Sequence, residues 1–180
     1  MIYKNSIINK YEKKKIVFVV TEDWYFLSHR LNLALEAKKK GYEVFVITNC
    51  NKKKVEITNY GIKVKNWPLK RKSYNIFSEI KSILQLYLII NKINPDLIHA
   101  VAIKPIIYTS IIKFFKRKLV VINSFTGLGY IFTSNEIKNL ILRKVLIVLL
   151  KTVFIGNKIT IIVQNQDDYK KFKDNNIINE

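Results

Sequence analysis

Hydrophobic and polar segments alternate along the chain in an order typical of strands and helices that follow one another. Short apolar runs rich in β-branched residues, bounded by charged or polar residues, predict strands buried on both faces of a parallel sheet. These runs cover residues 15–21, 43–48, 62–66, 96–101, 119–123 and 158–164. Segments with apolar residues at helical spacing separate most of them, at 26–40, 75–93, 105–115 and 136–154, and a last helix begins at Gln166. The alternation predicts an α/β fold, a Rossmann-like, doubly wound parallel sheet in the strand order 3-2-1-4-5-6.

Local signals predict where the helices end. Three consecutive lysines precede Gly41, and a cation-rich last turn followed by a C-cap glycine predicts that the first helix stops there. Pro95 ends the helix at 75–93, because a residue before proline is disfavoured in the helical conformation. That helix places one set of apolar residues on a single face: Ile76, Ile80, Ile83, Leu84, Tyr87 and Ile90.

The chain has the size and composition of one folded domain. Its 180 residues are 49% hydrophobic and 12% aromatic, which is enough apolar surface to offset the entropy of ordering. We predict a basic extension at 1–14 and a single domain at 15–180. The apolar run after the extension is too short for an export signal, and the single cysteine, Cys50, can form neither an internal disulfide nor a zinc cluster. The sequence therefore predicts a cytoplasmic protein without a metal site.

The chain carries a large positive charge, since 32 Lys and Arg against 13 Asp and Glu give a net +19. This charge favours a polyanionic or membranous partner, although roughly half of the lysine excess fits the codon bias of an AT-rich genome. In the segment 136–154, Arg143, Lys144 and Lys151 lie within about 100° of one another on an otherwise apolar helix. Three cations make a membrane span too costly. The segment is either an interfacial helix on anionic lipid or a core helix with one solvated edge.

Residues just after the strands are the candidate ligand contacts, because doubly wound sheets bind ligands outside the carboxyl ends of their strands. The segment after the first strand contains no glycine, which argues against a dinucleotide site. His29 and Arg30 are predicted in the first turn of the next helix, where a bound anion such as a phosphate would stabilise them. Alternatively, they face solvent or pair with Glu22, Asp23 or Glu36.

Three later strand ends add further candidates. His99 and Lys104 follow the fourth strand, and a histidine there could bind a sugar hydroxyl, exchange a proton near neutral pH, or be satisfied inside the core. After the fifth strand, Gly127 and Gly129 would let backbone amides approach a diphosphate or a sugar. Asn165 follows the sixth strand, where it could instead cap the final helix.

Four segments occur together in a diagnostic order and spacing. They are KIVFVVTEDWYFLSHRLNLALEAKKKGYEVFVIT, PDLIHAVAIKPIIYTSI, VINSFTGLGYIFTS and IIVQNQDDYKKF. Together they resemble the N-terminal domain of glycosyltransferase family four, and they are most similar to its capsule and O-antigen branch, which builds sugars on undecaprenyl-diphosphate carriers. Val101 departs from the pattern, since relatives often have a second histidine there.

The resemblance implies a retaining hexosyltransferase of the GT-B type, in which two Rossmann-like domains face each other across a cleft. The N-terminal half faces a lipid-linked glycan acceptor and the C-terminal half grips the nucleotide sugar, which is the donor substrate; no further cofactor is implied. The acceptor-binding positions carried over are Asp23, Trp24, Phe26, His29, Arg30, His99 and Lys104. The positions near the transferred sugar or diphosphate are Thr126, Gly127, Gly129 and Asn165. No catalytic residue is identified.

The resemblance also predicts what this sequence lacks. The donor-binding domain of the family has no counterpart within the 180 residues, so we expect a truncated transferase half that is inactive alone, or one completed by a separate donor-domain polypeptide. The expected location is the inner face of the plasma membrane, as a peripheral cytoplasmic protein that binds no nucleic acid. The alternative is a non-enzymatic basic module for a membrane surface or nucleic acid, although the sequence contains no recognisable nucleic-acid motif.

Overall fold

A parallel sheet forms the centre of the domain. The computed structural model describes residues 13–69, 75–126, 132, 136–154 and 159–178. The strands are β1 Lys15–Glu22, β2 Glu43–Asn49, β3 Lys63–Asn66, β4 Leu97–Val101, β5 Val120–Phe125 and β6 Thr160–Val163. They pair in the order β3-β2-β1-β4-β5-β6, and every pairing is parallel. The predicted fold class and strand order are confirmed.

Helices connect the strands. They are α1 Asp23–His29, α2 Leu31–Lys39, α3 Lys54–Asn59, α4 Ile76–Ile93, α5 Ile103–Phe115, α6 Ile137–Phe154 and α7 Gln166–Asp174. The predicted helix ends are confirmed where they are described: Gly41 follows α2 with φ 90°, and Asn94 closes α4 in the left-handed conformation just before Pro95. The short helix α3 occupies a stretch for which the sequence predicted only a lysine-rich connection.

The sheet is covered on both faces. Successive residues of β1 point in opposite directions, so Val17 and Val19 pack with α4, α5 and α6, whereas Phe18 and Val20 pack with α1, α2 and α3. Burial of β1 on both sides confirms the prediction drawn from its apolar run. This double packing makes the sheet a rigid base for the residues at its carboxyl edge.

The helix predicted at 26–40 is two helices. It begins earlier, at Asp23, and is interrupted at Arg30, which has φ −128° and ψ −11°. Ser28 Oγ donates to the carbonyl oxygens three and four residues earlier, at 3.2 and 3.0 Å, and such bonds bend helices. The prediction that His29 and Arg30 lie in a first helical turn was therefore wrong. His29 is the last residue of α1, and Arg30 joins the two helices.

The helices α4 and α6 keep apolar residues on their outer surfaces. The face predicted for α4 is divided: Ile83, Tyr87 and Ile90 pack on the core, whereas Ile76, Ile80 and Leu84 are exposed and form one row with Leu88. Because α4 is apolar nearly all round, spacing alone could not select the buried side. On α6, Ile141, Val145 and Val148 are exposed. None of the described helices combines the length and apolarity needed to cross a bilayer.

Candidate functional site

A cleft of about 320 Å³ opens at the carboxyl edge of the sheet. Its described lining consists of Thr21, Trp24, Tyr25, His29, Ala102, Thr126 and Gln164. Thr21 belongs to β1, while Ala102, Thr126 and Gln164 directly follow β4, β5 and β6. The order of the strands reverses between β1 and β4, which is where doubly wound sheets bind their ligands. The cleft therefore lies where a substrate site is expected.

One wall of the cleft is an aromatic group on α1. The rings of Tyr25 and His29 are stacked, with centroids 4.4 Å apart, and Trp24 meets Tyr25 edge-on at 5.9 Å. Trp24 is 50% exposed. Ser28 Oγ lies 2.6 Å from His29 Nδ1, which orients the ring and leaves Nε2 without a partner among the described residues. The wall thus presents an apolar ring face beside a hydrogen-bonding nitrogen, a combination suited to a sugar ring and its hydroxyls.

Arg30 lies behind this wall rather than in the cleft lining. Its guanidinium carbon is 5.9 Å from the centroid of Tyr25, and Nη1 donates to the carbonyl of His29 at 2.9 Å. Nε is buried and has no hydrogen-bond partner. Within the described part of the chain, no carboxylate lies at ion-pair distance from Arg30. An unpaired positive charge next to the cleft favours an anionic ligand.

Asp23 holds the loop that follows β2. Its buried carboxylate accepts from three backbone N–H groups: Trp24 at 2.8 Å, Asn51 at 2.7 Å and Lys53 at 2.9 Å. As the first residue of α1, it also lies at the positive end of the helix dipole. These contacts occupy both carboxylate oxygens, so Asp23 positions the base of the aromatic wall and is not exposed to an acceptor.

His99 is satisfied inside the core. It lies in the middle of β4, with Nε2 at 2.7 Å from Ser124 Oγ and its ring centroid 5.4 Å from that of Phe18. Burial, with a smaller contribution from the charge of Arg30, lowers the pKa of His99 to about 4. The side chain is therefore neutral near pH 7, and of the three alternatives that the sequence left open, the structure favours a histidine satisfied inside the core over one that exchanges a proton at that pH. Of the two histidines, His29 is the one that reaches the cleft.

The depressed pKa of His99 predicts a pH-dependent stability. The unfolded chain binds a proton at this residue near pH 6.5, whereas the folded chain does so only near pH 4. The stabilisation is thus complete above pH 6.5 and is lost as the pH falls towards 4, by about 3 kcal/mol in total. Urea unfolding between pH 7 and 4.5 should show this loss, and His99→Gln should show a clearly shallower one. Equal slopes for the two proteins would contradict the assignment.

Two predicted acceptor contacts lie away from the cleft. Phe26 is fully buried and packs edge-on against Phe18 at 5.8 Å, because α1 turns this residue towards the sheet. Lys104 lies on α5, where Nζ is 2.8 Å from Glu79 Oε1 of α4. Tyr108 also donates to Glu79, and burial, then this carboxylate, raises the pKa of Tyr108. Phe26 is thus a core residue, and the charge of Lys104 is used between two helices.

The structure describes only some of the residues that were predicted near the transferred sugar. Thr126 lines the cleft, whereas Gly127 and Gly129 lie outside the described residues. Asn165 caps α7, since its Oδ1 accepts from the N–H of Asp168 at 2.7 Å. It also lines a shallower depression that shares Gln164 with the cleft. Asn165 is therefore at the predicted edge, with its side-chain oxygen used for capping.

Four cleft residues were missing from the sequence prediction: Thr21, Tyr25, Ala102 and Gln164. Ala102 and Gln164 directly follow strands, so the rule that ligands bind after the carboxyl ends of strands could have found them. Tyr25 could not be separated from Phe26 without knowing the phase of α1. Ala102 has φ 77°, a conformation that is strained for a residue with a Cβ and that is often found at functional sites.

The comparisons with known proteins agree with this architecture. A glycosyltransferase from Rickettsia africae matches 94% of this chain and 51% of its own, with 15% identity and a TM-score of 0.52. Sucrose-phosphate synthase from Thermosynechococcus elongatus matches 90% and 45%, with 11% identity and a TM-score of 0.60. MurG from Acinetobacter baumannii matches 84% and 45%, with 9% identity and a TM-score of 0.56. The chain thus spans about half the length of these proteins.

The fold is a Rossmann-like α/β domain of the class that forms one half of GT-B glycosyltransferases. The model of the glycosyl transferase 4-like family matches residues 15–165, and the chain belongs to that family. No match to a protein of curated function was found. Membership of a glycosyltransferase family confirms the general part of the sequence-based identification.

Proposed function

We propose that this domain is the acceptor-binding half of a retaining GT-B glycosyltransferase. The acceptor is a glycan linked to undecaprenyl diphosphate, in capsule or O-antigen synthesis, and the donor is a nucleotide sugar. A second Rossmann-like domain, not contained in these 180 residues, grips the donor. The chain alone is inactive, because the positive groups that stabilise the leaving diphosphate belong to that second domain.

The observation that carries the proposal is the composition of the cleft in a member of this family. Trp24, Tyr25 and His29 form an aromatic wall opposite residues that follow three other strands. Arg30 places an unpaired positive charge directly behind that wall. Aromatic faces pack on the apolar side of a sugar ring, and a fixed cation favours a phosphate group. A glycan that carries a diphosphate supplies both partners.

The outer surfaces of α4 and α6 support a membrane location. Both helices border α5 and run from the carboxyl edge of the sheet to its amino edge, since each leads into a parallel strand. Their exposed apolar rows lie beside exposed lysines, Lys81 and Lys92 on α4 and Lys144 on α6. Apolar surface next to cations is typical of peripheral contact with anionic lipid. Such contact would bring the domain to a lipid-linked acceptor.

Trp24 offers a direct test of acceptor binding. The chain has two tryptophans, and Trp67 is fully buried with Nε1 bonded to the Ser82 carbonyl at 3.0 Å, so a ligand-induced change in emission reports Trp24. We expect a saturable emission change when a short-chain polyprenyl-diphosphate oligosaccharide in detergent micelles is added. The change should be absent in Trp24→Phe, whose fold is checked by circular dichroism.

Two control ligands distinguish binding of the glycan acceptor from binding of detergent or of the lipid diphosphate alone. Empty micelles and the polyprenyl diphosphate without its saccharide should give less than about a tenth of the signal, because the sugar is the group that meets the aromatic wall. A full signal from a UDP-sugar, with none from the glycan-linked carrier, would contradict the assignment of this cleft to the acceptor.

A further inference from the structure

A second basic feature lies at the amino edge of the sheet, opposite the cleft. Helix α5 ends there with Phe114 and Phe115, which are 60% and 74% exposed. Their rings pack edge to face, with centroids 5.6 Å apart and planes at 85°. Three cations follow at once: Lys116, Arg117 and Lys118. We call these five residues the Phe-Phe-cation turn.

The three cations of the turn border a concave surface. A depression of about 600 Å³ is lined by Lys14, Asn94, Pro95, Asp96, Lys116, Arg117, Lys118, Leu119 and Val120. Asp96 is the single acid among the described residues of that lining, and its Oδ2 already accepts from the backbone N–H of Lys15 at 2.7 Å. No ion pair joins any cation of the turn to a carboxylate within the described residues. The depression therefore carries a local excess of positive charge.

The turn is held in place by a buried lysine. Lys113 is 5% exposed, and its Nζ donates to the carbonyl of Leu119 at 2.6 Å and to that of Arg117 at 3.4 Å. A buried ammonium bonded to two backbone carbonyls of the loop after α5 fixes that loop without using any surface charge. The aromatic pair and the cations therefore stand on a fixed support.

We infer that the Phe-Phe-cation turn docks on the surface of an anionic phospholipid bilayer. The phenyl rings would enter the interfacial region, and the cations of the depression would contact lipid phosphates. The residues around the turn favour lipid over nucleic acid as the ligand. Val120 beside the turn is exposed, and an aliphatic side chain is stabilised by contact with lipid but does not stack on bases. The edge of one ring also covers a face of the other, which leaves less open ring surface for stacking on nucleotides.

This contact goes beyond the proposed function because it fixes an orientation. The turn and the cleft lie at opposite ends of the strands, so contact through both the turn and the apolar rows on α4 and α6 would lay the strands along the bilayer and keep the cleft at the level of the lipid phosphates. The rows on α4 and α6 extend along the same layer of helices towards this edge. A single side of the molecule would then face the bilayer.

Sedimentation with vesicles tests the inference on the full chain. Vesicles of phosphatidylcholine, with and without phosphatidylglycerol, are mixed with the wild type and with two variants, Lys116→Gln/Arg117→Gln/Lys118→Gln and Phe114→Ser/Phe115→Ser. We expect each variant to lower partitioning onto the anionic vesicles by about 10-fold or more, since each cation near such a surface contributes severalfold. A matched control, Lys39→Gln/Lys40→Gln/Lys65→Gln, removes equal charge elsewhere and should change partitioning by less than about 3-fold.

Several results would overturn the inference. The first is an equal loss of vesicle partitioning in the matched control. The second is a loss of partitioning only in the α6 variant Lys144→Glu/Lys151→Glu. The third is tighter binding to a single-stranded oligonucleotide, which vesicles do not displace. The second result would leave the proposed contact of α6 with membrane standing. Glycerol phosphate should not displace the protein from vesicles, and displacement would mean that a free phosphate is the ligand.

A labelled variant keeps the test independent of folding defects. With Cys50→Ser, a polarity-sensitive dye on Phe115→Cys should shift to the blue on anionic vesicles, whereas the same dye on Lys52→Cys should not. An unshifted dye at position 115, with the chain bound to vesicles, would contradict docking through the turn. Acceptor binding measured by Trp24 emission is unaffected by either outcome, so the two proposals fail separately.

Discussion

Replacement of Arg30 by alanine should reduce turnover of the complete transferase by about 100-fold while changing the free energy of unfolding by less than about 1 kcal/mol. The guanidinium lies behind the aromatic wall, 5.9 Å from the centroid of Tyr25, and its buried Nε has no partner. It has no carboxylate partner among the described residues, so its removal breaks no ion pair. What is lost is a fixed positive charge beside the site that we propose for a diphosphate-bearing ligand.

Two variants control the Arg30→Ala measurement. Arg30→Lys keeps the charge but not the planar donor set. If charge is the main contribution, this variant should keep most of the turnover that Arg30→Ala loses. Lys39→Ala removes a cation whose surface ion pair with Glu36 is well exposed, and it should leave both turnover and stability nearly unchanged. Arg30→Ala with unaltered kinetics would remove this residue from the site.

Replacement of Asp23 by alanine should destabilise the fold by about 3 kcal/mol, measured by urea unfolding at pH 7. Its carboxylate accepts three backbone N–H groups, two of them from the loop after β2, and bonds to charged groups are stronger than neutral ones. Because the lost hydrogen bonds lie at the start of α1, the stacking of Tyr25 on His29 should also loosen. Near-ultraviolet circular dichroism would detect this change.

Asp167 provides the matched control for Asp23→Ala. It also lies in the first turn of a helix, α7, but its side chain is exposed. Asp167→Ala removes a comparable interaction with the helix dipole and should cost less than about 1 kcal/mol. Similar losses for the two variants would mean that the backbone bonds of Asp23 contribute little.

The fold could be predicted because several local signals agree with one another. Each strand is a short β-branched run, and a helix between successive strands is the usual crossover that parallel strands need. The break at Arg30 could not be predicted, since it depends on the hydroxyl of Ser28 competing for backbone carbonyls rather than on a proline or glycine. The exposed row on α4 could not be predicted for a different reason, because apolar residues cover a wider arc of that helix than the side that packs on the core.

The site could be predicted in position more than in detail. The rule that ligands meet the carboxyl ends of strands selected His29, and the family resemblance added Trp24 and Thr126; all three line one cleft. The rule also selected Lys104 and the resemblance added Phe26, but their side chains turn to Glu79 and to the core. Sequence position places a residue near an edge, whereas helical phase and available partners decide what its side chain contacts.

Sugar transfer to a lipid-linked acceptor tests the central claim most directly. The 180-residue chain is assayed alone and with a donor-binding domain, supplied either from the sequence encoded downstream of Glu180 or as a separate polypeptide. Radiolabelled nucleotide sugar and a polyprenyl-diphosphate glycan are the substrates. The account predicts no transfer by the chain alone and transfer with retained configuration once both halves enclose the acceptor. Robust transfer by the isolated chain, or none from any pairing while Trp24 emission shows no acceptor binding, would contradict it.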